Sequence, residues 1–162
     1  MLWRVLSFPR VINEKAARTV AAVVALTGVI ALATGAHWLL VPLAYGFWAR
    51  VLTGPRLSPL ALFATKVAAP RLGPPRDVAG PPKRFAQGMG AAITTLGVLA
   101  LVLGWTTVVA VLLALLVIAA TLEAALGLCI GCKLFAGLMR AGVIPETVCV
   151  ECADISSRLQ RA

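Results

Sequence analysis

Four stretches of this chain are apolar enough to leave water, roughly 19–36, 38–52, 85–103 and 105–128. A hydrocarbon core takes about twenty residues of helix, and about seventeen still reach across. Inside it the backbone must satisfy its own hydrogen bonds, so runs of this kind fold as helices. The second stretch is short and carries Pro42 near its start. With 60% hydrophobic residues and a mean hydropathy of +0.96, the chain lies far from soluble composition. The expected fold is all-α and polytopic. Residues 1–128 form a four-helix membrane domain and 129–162 a Cys-rich tail, with no room for a second folded domain.

The charges set the topology. A net charge of +9 suits nucleic acid by magnitude, but the fifteen Lys and Arg flank the apolar runs and form no stripe with interleaved aromatics. Arg4, Arg10, Lys15 and Arg18 precede the first run. Arg50, Arg56, Lys66, Arg71, Arg76, Lys83 and Arg84 lie between the second and third, and Lys133, Arg140, Arg158 and Arg161 follow the fourth. The connections near His37 and Gly104 carry none. This bias places both termini and the middle loop in the cytoplasm, the lipid bilayer being the first partner and nucleic acid no partner. The basic start also fits a cleaved signal peptide, but its apolar stretch is long and three more follow, which favours a retained span. Trp38 and Trp105 then mark the outer interface, and Phe47, Trp48 and Phe85 the inner one.

The middle loop divides in two. Ser58 and Pro59 make a helix start, with Leu60, Phe63, Ala64 and Val67 on one face and Pro70 as the stop, which reads as a short interfacial helix. The segment RLGPPRDVAGPPKR reads as extended and exposed, docking on anionic lipid through Lys83 and Arg84 and standing apart from any thiol chemistry. Small residues recur at helical spacing, Ala21, Ala25 and Gly28 in the first span and Gly90, Thr94 and Gly97 in the third. Packing within one bundle is the favoured use; a homo-oligomer face is the other.

All four cysteines follow the last run, as Cys129-x2-Cys132, sixteen residues, and Cys149-x2-Cys152. Gly127 and Gly131 favour a break in the fourth helix, with a new short helix from near Cys132 to Arg140. Cys129 then sits at or just before a helix N-terminus, near Lys133, and both features favour a thiolate. The second pair shares a face with Ile155 and Leu159 if a helix runs on from Pro145, and acidic neighbours work against thiolates there. The spacing fits a closed, structural four-cysteine zinc site on Cys129, Cys132, Cys149 and Cys152. It fits equally a dithiol exchange site with catalytic Cys129 and Cys132. No cofactor is required by the second reading.

Glu123 is the one acid inside a span. Proton delivery to the thiols is one reading; the favoured one is an ion pair with Arg50 or Lys133. His37 sits at the outer boundary, away from the cysteines. No Ser-His-Asp or Cys-His set, Walker loop or dinucleotide fingerprint is present, so no complete catalytic motif supports an enzyme.

The runs GPRLSPLALFATKV (54–67), GPPKRFAQG (80–88) and LCIGCKLFAGLMRAGVIPETVCVECADI (128–155) resemble a bacterial integral membrane family, common in actinobacteria and catalogued as a domain of unknown function. The resemblance implies a bacterial inner membrane. It also implies association with thioredoxin-like or rhodanese-like sulfurtransferase partners, hence sulfur or thiol redox metabolism. Shorter members of that family stop soon after the first cysteine pair, which weighs against an obligatory four-cysteine metal site. The expected function is a membrane-anchored accessory protein whose dithiol exchanges disulfide or persulfide with a soluble partner. The alternatives are a non-enzymatic anchor with a zinc-shaped docking surface and a small transporter, the last having little polar lining to work with.

Overall fold

The computed structural model describes residues 8–149 and is mostly helical. Strand β1 (Val11–Asn13) leads into helix α1 (Glu14–Thr34). A single 3-10 turn, His37–Leu39, precedes α2 (Leu40–Thr53). The middle loop contains α3 (Pro59–Phe63), a wide π turn (Ala64–Ala68), α4 (Ala69–Arg71) and strand β2 (Asp77–Ala79). Helices α5 (Gly80–Val102), α6 (Thr106–Leu126) and α7 (Ile130–Arg140) follow, then a 3-10 turn, Glu146–Cys149. Cys152 and the tail helix expected to run on past Cys149 lie outside the described residues.

Among the described residues, three helices are long and apolar enough to cross a membrane: α1, α5 and α6. Each keeps the expected position with shifted ends. Helix α1 begins before the apolar run because Asn13 caps it, its side chain accepting from Lys15 N–H at 2.9 Å. Helix α5 begins at Gly80 because Pro81 and Pro82 fall in a first turn, where no N–H is needed. Helix α2 has 14 residues, a rise of about 21 Å against a hydrocarbon core of about 30 Å.

Several expectations need correction. The fold is not purely helical, because Val11–Asn13 pairs antiparallel with Asp77–Ala79. The RLGPPRDVAGPPKR segment is therefore neither free nor wholly exposed: it contributes β2 and the first turn of α5, and Lys83 is buried. Pro70 does not stop the loop helix. The π turn before it supplies the wider geometry that a proline inside a helix demands, and the helix runs on to Arg71. Ala61, Ala64 and Ala69 face the core there, while Phe63 is exposed. Phe47 is a core residue and no interface marker.

The small residues hold the bundle together. Helix α1 packs on α6, α2 on α5, and α5 on α6 and α7. A Cβ at Gly28 would come within 2.5 Å of Val117 Cγ2, and one at Gly90 would enter the Phe47 ring. Gly97 lies under Leu40. Both small-residue stripes are thus filled by this chain's own helices, an approach that small side chains permit.

The same contacts gather the charged segments at one end. Glu14 N–H donates to Arg76 O at 2.8 Å, and Gly80 N–H to Arg10 O at 2.6 Å. Lys15 Nζ donates to Leu72 O at 2.7 Å, and Arg76 pairs with Glu14 at 3.1 Å. The guanidinium of Arg18 caps α6, donating to Ala124 O and Ala125 O at 3.0 and 2.8 Å, where the helix leaves carbonyls unpaired. This end of the bundle carries the candidate site.

Candidate functional site

The reversal between α6 and α7 makes the thiol site. Gly127 adopts a left-handed conformation, φ 68°, which ends α6 and turns the chain. Two residues later Cys129 is extended and caps α7, its Sγ accepting from Cys132 N–H at 3.3 Å. The position is the one that the sequence predicts, with the cysteine itself as the cap. Cys129 is buried and Cys132 half-buried, and both are free thiols. Helix α7 is held against α5 by Gly131, which sits on the Ala86 backbone, and by Phe135, whose ring centroid lies 5.7 Å from that of Phe85.

The two thiols are unlike. The Cys129 pKa is lowered, first because the Cys132 side chain hydrogen-bonds to its sulfur, with Lys83 and the Cys132 N–H adding to the effect. Burial and the Glu123 carboxylate oppose this. The Cys132 thiol is pushed well up, because giving away its proton would break that hydrogen bond, and because it is buried beside a thiolate. The surroundings thus favour the thiolate at Cys129 and keep the proton on Cys132.

Behind them lies the ion pair Lys83–Glu123, both side chains largely withdrawn from water. This corrects the expected pairing: neither Arg50 nor Lys133 takes the carboxylate. It also corrects the separation of the middle loop from the thiols, because Lys83 and both cysteines line one cleft with Lys133 and Glu14. On its inner side Cys129 borders a second cavity of about 90 Å³, shared with Glu123, Arg50 and Gln87. Glu123 lies before the Gly127 turn and Cys129 after it, so the two residues do not share a helix.

Lys83 is the residue that sequence reasoning misplaced, yet a signal was there. Lys83, Gln87, Gly90, Thr94 and Gly97 follow one another at helical spacing. Lys83 therefore extends the small-residue stripe of α5 by two turns. Glu123 extends the buried stripe Val109, Leu113, Leu116 and Ala120 of α6 in the same way. The Pro-Pro pair reads as a loop only if its place in the first turn is overlooked.

Cys149 is buried and disulfide-bonded, in a turn that packs on α5. Cys152 is outside the described residues. Among the described residues no three His, Cys, Asp or Glu side chains are gathered so as to hold a metal ion. Cys129 and Cys132 alone supply two of the four ligands that a closed zinc site needs. His37 lies at the opposite end of α1 and α2 from the cysteines.

A family model described as a domain of unknown function (DUF4395) matches residues 12–140. That stretch runs from β1 to the end of α7; it contains Cys129 and Cys132 and stops before Cys149. No curated protein and no solved structure matches the chain.

Proposed function

The chain belongs to the DUF4395 family, and we propose that it is a membrane-anchored dithiol protein that exchanges disulfides with a soluble partner. The observation that carries this reading is the asymmetry of the Cys129–Cys132 pair at the start of α7. Cys129 is the attacking sulfur. Its thiolate attacks one sulfur of a partner disulfide, the partner's S–S bond breaks, and the departing sulfur takes a proton from water. Cys132 then loses its proton to water and attacks Cys129, which releases the second partner sulfur. The partner disulfide is reduced by two electrons and the Cys129–Cys132 pair is oxidised by two; a partner dithiol drives the reverse. A persulfide partner would transfer its outer sulfur to Cys129 by the same attack, releasing the partner's thiolate. Cys149 and Cys152 act as a second pair that reloads or discharges the first.

In this reading α2 and its preceding turn make a fourth, short crossing beside α1, α5 and α6. The charged end of the bundle faces the cytoplasm with both termini, as the positive-inside bias directs. The partner class is thioredoxin-like or rhodanese-like, and the membrane is the bacterial inner membrane.

Trapping tests the chemistry. Cys132→Ser should leave a stable mixed disulfide on Cys129 after treatment with oxidised glutathione. Cys129→Ser should leave Cys132 unmodified on the same timescale. Equal modification of both sulfurs, or four thiols that react only after a chelator is added, would replace this reading with a zinc-shaped docking anchor.

A further inference from the structure

We propose that a cavity beside Arg50, which neither cysteine of the first pair borders, binds a small organic monoanion with an apolar body, such as a short carboxylate. Arg50 lies in the last turn of α2 and is 5% exposed. Its Nε donates to Gln87 Oε1 at 2.7 Å, and Nη1 makes a long contact with Ser58 Oγ at 3.4 Å. The guanidinium sits 4.5 Å from the centroid of the Phe47 ring. Its Nη2 is buried without a hydrogen-bond partner. A buried donor left unmade is costly, and more so when it is charged. Glu123 lies near enough for its charge to act on the guanidinium, but it makes no hydrogen bond to Nη2.

The adjoining cavity has a volume of about 190 Å³. Ile12, Ala16, Val20 and Ala61 give it apolar walls, and Arg50 and Lys83 give it two cations. At about 30 Å³ per water it holds on the order of six waters, or one small molecule, and it is smaller than the roughly 300 Å³ of a drug-sized site. A whole phospholipid does not fit inside. Water alone would satisfy Nη2 but leave the apolar walls wet. A carboxylate on a short hydrocarbon body satisfies both. A dianion is a poor match, since Lys83 is already paired with Glu123, which leaves one of the two positive charges to be met.

The test uses the full chain in lipid nanodiscs, with hexanoate as probe, hexanamide as its neutral counterpart and inorganic phosphate as a bare anion. Calorimetry should show saturable hexanoate binding, at least about tenfold tighter than hexanamide, since a charge-assisted hydrogen bond distinguishes them. Arg50→Gln should bring hexanoate down to the hexanamide level. Ala17→Leu fills the cavity while keeping Arg50, and should abolish binding of both, with unchanged thermal stability showing that the fold is intact. Equal affinity for hexanoate and hexanamide, or hexanoate binding that survives both substitutions, would overturn the proposal. So would phosphate binding more tightly than hexanoate.

Discussion

Cys129 and Cys132 carry the same functional group and differ only in what surrounds them. Alkylation of Cys129 by iodoacetamide should rise with pH and reach half its maximum below the ordinary thiol pKa, while Cys132 stays unmodified through that range. Mass spectrometry of the two peptides reads this directly; matching profiles would mean equivalent thiols. The sign of the stability effect follows. A lowered pKa in the folded state gives a contribution complete above the ordinary thiol pKa and lost as pH falls through the folded value. Lys83→Met should be strongly destabilising. It leaves Glu123 buried and unpaired, at a cost of about 3–5 kcal/mol, and removes a cation that favours the Cys129 thiolate. Lys83→Met with Glu123→Gln should recover much of that stability in chemical denaturation, since no lone charge remains. If the single variant is as stable as the double, the pair is not buried as described. The sequence made Cys129 legible, because Gly127 and the following apolar helix announce a break and a cap. It hid Lys83, because a lysine after Gly-Pro-Pro reads as solvated until α6 is known to bring Glu123 alongside.

Among the elements, α7 meets α5 most closely at Gly131, beside the Phe85–Phe135 ring contact. A Cβ at Gly131 would lie 2.6 Å from Ala86 Cα, a backbone atom that cannot swing aside. Gly131→Ala should therefore push α7 off α5, costing about 1–3 kcal/mol as other overpacked sites do. It should also expose Cys132, read as faster maleimide labelling of that residue; unchanged labelling would show that α7 is not anchored there. Gly137→Ala on the same helix meets nothing within 4 Å and serves as the control. The long helices were readable because their apolar runs leave few alternatives. Their ends were not, because α1 and α5 begin with charged or proline-containing turns whose helical state depends on caps and on the β1–β2 ribbon. That ribbon has three residues on each side, too few for alternation to stand out. The π turn was also hidden, since Pro70 reads locally as a stop.

For the molecule as a whole, packing draws the charged segments to one end and leaves Trp38 and Trp105 exposed near the turns at the far end. His37→Cys should be labelled in intact cells by a membrane-impermeant maleimide, and the native cysteines should not; labelling of the native cysteines from outside would reverse the orientation. On the proposed reading the bundle holds one dithiol at the membrane surface, with Lys83–Glu123 beneath it. The most direct test of that claim is a redox titration of the purified protein in glutathione buffers, read by mass spectrometry of the peptide that carries Cys129 and Cys132. One two-electron Cys129–Cys132 couple should be present in the native chain and be kept when Cys149 and Cys152 are both replaced by Ser. A pair that never oxidises across the titration, with about one zinc per chain as a closed four-thiolate site requires, would contradict it.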